Sequence, residues 1–192
     1  MLCGVLAVAL LAAGCQNRQR EATEAAISAA ETALATVQTE AEKYVPDQLK
    51  AAQAALQSGK DALARDDYSK ALAGAHDAAN RAKELVVAAA TKKEEWTKAW
   101  ASMNESIPKR LNEAKRRLDA YSHGARLPSG MDQEVLEGAK RQYEQLKQTW
   151  EDASSSATQG RLGEAMKKAA GMEEALEQLM ETLGMKPKKV GQ

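Results

Sequence analysis

The chain is 192 residues long, with 27 Lys plus Arg set against 27 Asp plus Glu, so no net charge draws it to nucleic acid. It has no Phe, two cysteines and four prolines. Ala, Glu, Lys, Gln, Leu and Arg, the strongest helix formers, dominate it, which excludes a β or α/β fold and predicts an all-α protein.

Residues 2–14 carry no charge and are rich in Leu, Val and Ala. As a helix they would span roughly 20 Å, short of the roughly 30 Å hydrocarbon core of a bilayer, so the segment is predicted to be a signal-peptide core. It ends in Leu10-Leu11-Ala12-Ala13-Gly14-Cys15, small residues followed by a cysteine. This resembles the lipobox of bacterial lipoproteins. The resemblance implies cleavage before Cys15, a diacylglycerol thioether on its sulfur, and removal of Cys3 with the leader. Each buried methylene is worth about 0.8 kcal/mol, so several acyl chains make a stable anchor. Gln16, not Asp, follows the cysteine, which by the sorting rule of such lipoproteins implies the outer membrane of a Gram-negative bacterium, facing the periplasm. Cys15 would be the only cysteine left, so a disulfide within the subunit is not expected.

The domains expected are a lipoprotein signal peptide at 1–14, a polar tether at 15–20 and an Ala-rich three-helix bundle at 21–92. A second helical bundle at 93–184 and a flexible basic tail at 185–192 follow. The architecture expected is a set of antiparallel helical bundles, about six helices in all, sharing one long central helix.

The first helix is predicted after the tether. Ala22, Ala25, Ala26, Ala29, Ala30, Ala33, Val37 and Ala41 recur at helical spacing up to about Tyr44. Val45-Pro46 ends it, because the residue before a proline is pushed out of the α region, and Pro46 then suits the first position of the second helix. That helix turns Leu49, Ala52, Leu56 and Leu63 inward. Asp66-Asp67 offers a cap for a third helix carrying Ala71, Leu72, Ala75, Ala78, Ala79, Ala82, Leu85 and Val86. It is predicted to run about forty residues, near 60 Å by its rise, to the neighbourhood of Met103. Ile107-Pro108 is expected to open a fourth helix with Ala114 and Leu118 inward; Val45-Pro46 and Ile107-Pro108 begin the same pattern of Pro, Leu, Ala and Leu. A loop spans 123–130. Ser129 or Asp132 caps a fifth helix with Val135, Leu136, Ala139, Tyr143, Leu146, Trp150 and Ala153 on its stripe. A sixth carries Leu162, Ala165, Met166, Ala169, Met172, Leu176, Leu179, Met180 and Leu183 and stops at Gly184.

Ala33, Ala41, Tyr44, Pro46, Leu49, Ala52, Leu56, Ala62, Asp67, Tyr68, Ala71, Ala75, Ala78 and Ala82 carry a likeness over residues 21–85. An alanine-rich helix meets x-Pro-x-x-Leu-x-x-Ala, and the next helix opens with Asp-Tyr-x-x-Ala. In this the chain resembles an alanine-rich family of bacterial periplasmic lipoproteins catalogued as a domain of unknown function. The resemblance implies a short antiparallel bundle behind a lipobox and supplies no catalytic residues.

Chemistry is hard to assemble from these residues. His76 and His123 are the only histidines, too few for a zinc site. The pairs Glu94-Glu95, Glu173-Glu174 and Asp66-Asp67 diverge on a helix rather than converge. No phosphate loop or nucleophile elbow is present. The chain is therefore read as no enzyme, with no cofactor, metal or small-molecule substrate. Trp96, Trp100 and Trp150, with Met103, Tyr121, Tyr143, Met166, Met172 and Met180, fit either the core of the second bundle or a groove for a partner. The function expected is a lipid-anchored helical interaction or scaffold protein, tied to membrane lipid through acylated Cys15 and to an envelope protein partner. Two alternatives remain. One is binding of peptidoglycan or another envelope polymer through Lys109, Arg110, Lys115, Arg116 and Arg117; the other is self-association as a coiled-coil structural lipoprotein.

Overall fold

The computed structural model describes the backbone of residues 5–185 and the side chains of residues 17–185. The side chain of Cys15 and the tail lysines Lys186, Lys188 and Lys189 lie outside these. Among the described residues the chain is all-α, with helices α1 (Val5–Tyr44), α2 (Pro46–Leu63), α3 (Tyr68–Ser122), α4 (Gln133–Thr158), α5 (Leu162–Lys168) and α6 (Met172–Thr182). It divides into two compact units, Met1–Glu94 and Glu95–Gln192.

Unit 1 packs α1, α2 and the first part of α3 about one core. Ile27, Ala30, Leu34 and Ala41 of α1 meet Leu49, Ala52, Leu56 and Ala62 of α2, and Ala71, Ala75, Ala78, Ala82 and Leu85 of α3. The helices alternate in direction. Lys60 of α2 pairs with Glu31 of α1 and Arg20 with Asp66 of the turn after α2, while Lys93 reaches back to Glu40 at the other end of α1. With alanine at the contacts, helix axes approach toward the lower end of the usual 8–10 Å. Helices α2 and α3 come close together at Gly59 and Gly74. A Cβ on Gly74 would stand 2.7 Å from the Gly59 Cα and 2.8 Å from its nitrogen, so only glycine fits.

Pro46 starts α2, where its missing N–H costs nothing. At the other turn, Asp66 takes a left-handed φ of 57°, which bends the chain back so that the Asp67 carboxylate accepts the Lys70 N–H at 3.2 Å and caps α3. The Lys70 ammonium, then its backbone N–H, holds the Asp67 carboxyl below the usual carboxylate range.

Unit 2 places the later part of α3 against α4, α5 and α6. Its core joins Ile107, Leu111, Ala114, Leu118 and Tyr121 of α3 to Leu136, Ala139, Tyr143, Leu146, Trp150 and Ala153 of α4. Met172, Leu176, Leu179 and Leu183 complete it. Asp132 caps α4, its carboxylate accepting the Val135 N–H at 2.9 Å. The buried Tyr121 hydroxyl donates to the Leu183 carbonyl at 2.7 Å and ties the end of α3 to the end of α6. Gly184, at φ +68°, then turns the chain under Pro128.

Three expectations are corrected. Residues 17–20 are helix rather than tether. Thr23 is fully buried there and donates to the Gln19 carbonyl at 2.7 Å, and Arg20 bridges Glu24 one turn on. The third helix does not stop near Met103, nor does a fourth open at Ile107. α3 runs 55 residues with Pro108 inside it. Proline removes one backbone bond, but Ile107 at 0% exposure and Leu111 at 6% bury on the same stripe on either side, and that packing holds the helix through the break. The expected sixth helix is two, because Gly171 adopts φ +77° between α5 and α6.

Candidate functional site

The aromatic set assembles in unit 2. Trp150 is 8% exposed and belongs to the core. The Trp100 ring stacks on it at 5.0 Å between centroids with 17° between planes, and Trp100 itself is half-buried. The offset stacking of two indoles adds about 0.5–1.5 kcal/mol to their burial. Trp96, one turn before Trp100, is half-buried as well. Trp150 is thus a core residue and Trp100 its cover. Met103 packs on the same core from the outside, and Tyr121, Tyr143, Met172 and Met180 are buried. Tyr143 is held above the ordinary tyrosine value of 10.0, chiefly because burial disfavours its phenolate, with Glu144 adding a like charge.

Of the five basic residues of the polymer-binding alternative, Lys109 and Lys115 have acidic partners on their own helix. Lys109 bridges Glu105 at 2.9 Å and Lys115 bridges Asp119 at 2.7 Å. The Arg117 guanidinium lies over the Tyr121 ring, 5.0 Å from its centroid, and its Nε points at the Leu183 carbonyl at 3.5 Å. At Lys109 and Lys115 the positive charge is thus matched by a carboxylate one turn away. His123 sits at the end of α3 with Nδ1 2.7 Å from the Asp119 carbonyl, where it complements the helix dipole, and His76 is exposed on α3. Among the described residues no group of three or more His, Cys, Asp or Glu could hold a metal ion.

In unit 1 an open cleft of about 360 Å³ lies between the start of α2 and α3. Asp47, Gln48 and Ala51 line one side and Arg81, Glu84 and Leu85 the other. Arg81 is bridged to Asp77 at 3.0 Å. Just past the cleft Val86 and Val87 stand 54% and 67% exposed, although Val86 was expected on the inward stripe. Two consecutive residues of one helix cannot both face a core, and Leu85 already holds the inward position at 2%. That adjacency is the signal in the sequence for an exposed apolar spot here.

Cys15 lies five residues before Arg20 on the continuous backbone of α1. No family model, no curated protein and no solved structure matches this chain.

Proposed function

We propose that this protein is a non-enzymatic lipoprotein of the bacterial envelope, anchored through acylated Cys15 at the periplasmic face of the outer membrane and presenting its helical units as an interaction or scaffold surface. The observation that carries the reading is the sequence Leu10-Leu11-Ala12-Ala13-Gly14-Cys15 at the end of an uncharged apolar run. Among the described residues no helix is long and apolar enough to cross a membrane, and in this reading acyl chains on Cys15 supply the attachment. Each unit has its own buried core, with α3 contributing to both, which suits a module that displays a surface. The ion pairs of Lys109 and Lys115 support the scaffold reading over polymer binding, since their charge is already matched on α3.

The test is fractionation of a Gram-negative host expressing the full chain. The protein is expected in the membrane fraction, resistant to high salt and released by detergent, and Cys15→Ser is expected to abolish that association. An unchanged membrane fraction for Cys15→Ser would end the lipoprotein reading.

A further inference from the structure

The geometry of unit 1 fixes which of its ends would meet the bilayer. α1 is continuous from Cys15 through Arg20, so the anchor position and the first bundle residues are separated by a rise of only about 8 Å. At that level α1 is joined to the turn between α2 and α3. The Arg20 guanidinium lies 4.0 Å from the Asp66 carboxylate, which also accepts a hydrogen bond from the Tyr68 hydroxyl at 3.0 Å. The polar layer outside the hydrocarbon core is roughly 5–8 Å deep on each side. A cysteine with its acyl chains in the hydrocarbon therefore brings residues 64–67 to the outer edge of that layer.

We propose that the turn at residues 64–67 rests against the phospholipid headgroup layer, and that α1 stands away from it. The cleft between Asp47 and Leu85 would then be held about 40 Å out, near the far end of α1. The surface at the near end mixes Arg18, Arg20 and Arg65 with Glu21, Glu24 and Asp66. Matched charges of both signs fit zwitterionic headgroups, which offer a phosphate and an ammonium, better than a uniformly anionic surface. The contact should accordingly be insensitive to salt, unlike a polybasic patch. The inference rests on the acylation of Cys15 proposed above.

The test uses the full chain carrying Arg65→Cys or Gln48→Cys, purified from membranes and reconstituted into phosphatidylethanolamine–phosphatidylcholine vesicles that bear a headgroup-attached quencher. A fluorophore is placed on the introduced thiol. Flotation with the vesicles comes first. A protein that fails to float overturns the anchor and this inference with it. For protein that floats, quenching severalfold stronger at position 65 than at 48, unchanged between low and high salt, is the expected result. Equal quenching at the two positions, or stronger quenching at 48, overturns the orientation while leaving the anchor standing. A flexible Gly-Ser insertion after Asn17 should erase the contrast. A contrast that survived it would overturn the claim that α1 transmits the orientation.

Discussion

At the scale of single residues, glycine gives the sharpest contrast. Gly74 and Gly138 both sit inside helices, where alanine is favoured by roughly 0.5–1 kcal/mol. At Gly138 a Cβ meets only the end of Arg141, 3.9 Å away, so Gly138→Ala should stabilise unit 2 by about that amount. At Gly74 the Cβ would strike the backbone of Gly59, which cannot move aside as a side chain can. Overpacking of that kind costs about 1–3 kcal/mol and outweighs the propensity gain, so Gly74→Ala should lower the stability of unit 1. The two effects can be read separately. All three tryptophans lie in unit 2, so their fluorescence reports chiefly on that unit, whereas far-ultraviolet circular dichroism follows both. A Gly74→Ala protein as stable as the parent in urea would contradict the close packing of α2 on α3. In unit 2, Tyr121→Phe removes the short donor to the Leu183 carbonyl, leaving only the long 3.5 Å approach of the Arg117 Nε, and should cost about 1–2 kcal/mol by tryptophan fluorescence.

Tyr143 adds a dependence on pH. Its ionisation is raised in the folded state, so the unfolded chain loses that proton first. Stability from this group is intact below pH 10.0 and falls as pH climbs from there through the higher folded value. The expected result is an alkaline loss of unit 2 stability that Tyr143→Phe reduces; a variant with the same alkaline slope would assign the loss to other groups. Tyr68, raised mainly by its hydrogen bond to Asp66, lies in unit 1, on which the tryptophan signal does not chiefly report.

At the scale of elements, larger side chains made the fold legible where alanine did not. Along α4 the stripe of Leu136, Ala139, Tyr143, Leu146, Trp150 and Ala153 could be read directly and is buried throughout, with only Val135 turned outward. Along α1 alanine occurs on every side, and its periodicity carries no phase. Ala22, Ala25 and Ala29 are exposed, and the buried face is set instead by Ile27 and Leu34, seven residues apart, with the small Thr23 and Ala30 between the helices. The two prolines show the same limit. Pro46 and Pro108 stand in one local pattern, and Leu49, Ala52 and Leu56 are buried as Leu111, Ala114 and Leu118 are. Yet one proline starts a helix and the other lies within one, because the sequence before Ile107 has bulky residues, Trp100 and Met103, that pack on the unit 2 core. An interior proline costs about 3 kcal/mol, so Pro108→Ala should raise the stability of unit 2, by an amount up to that figure. A fall in stability would mean instead that the core is fitted to the proline.

At the scale of the whole molecule, the all-α class follows from composition, and the proposed anchoring site rests on a few residues of sequence rather than on any packing. The aromatic set was open to two readings from sequence because burial depends on neighbours that local spacing does not reveal; Trp150 is core, and Trp100 lies over it. The cleft of Asp47, Gln48, Arg81, Glu84 and Leu85 could not be anticipated, since it joins residues more than thirty positions apart whose types are ordinary for a helix surface. The proposed function therefore turns on Cys15. The most direct measurement is mass spectrometry of the mature protein purified from the envelope of a Gram-negative host. An N-terminal peptide that begins at Cys15 and carries diacylglycerol and an acyl chain is the expected result. A mature protein with residues 1–14 still attached, or with Cys15 as a free thiol, would contradict it.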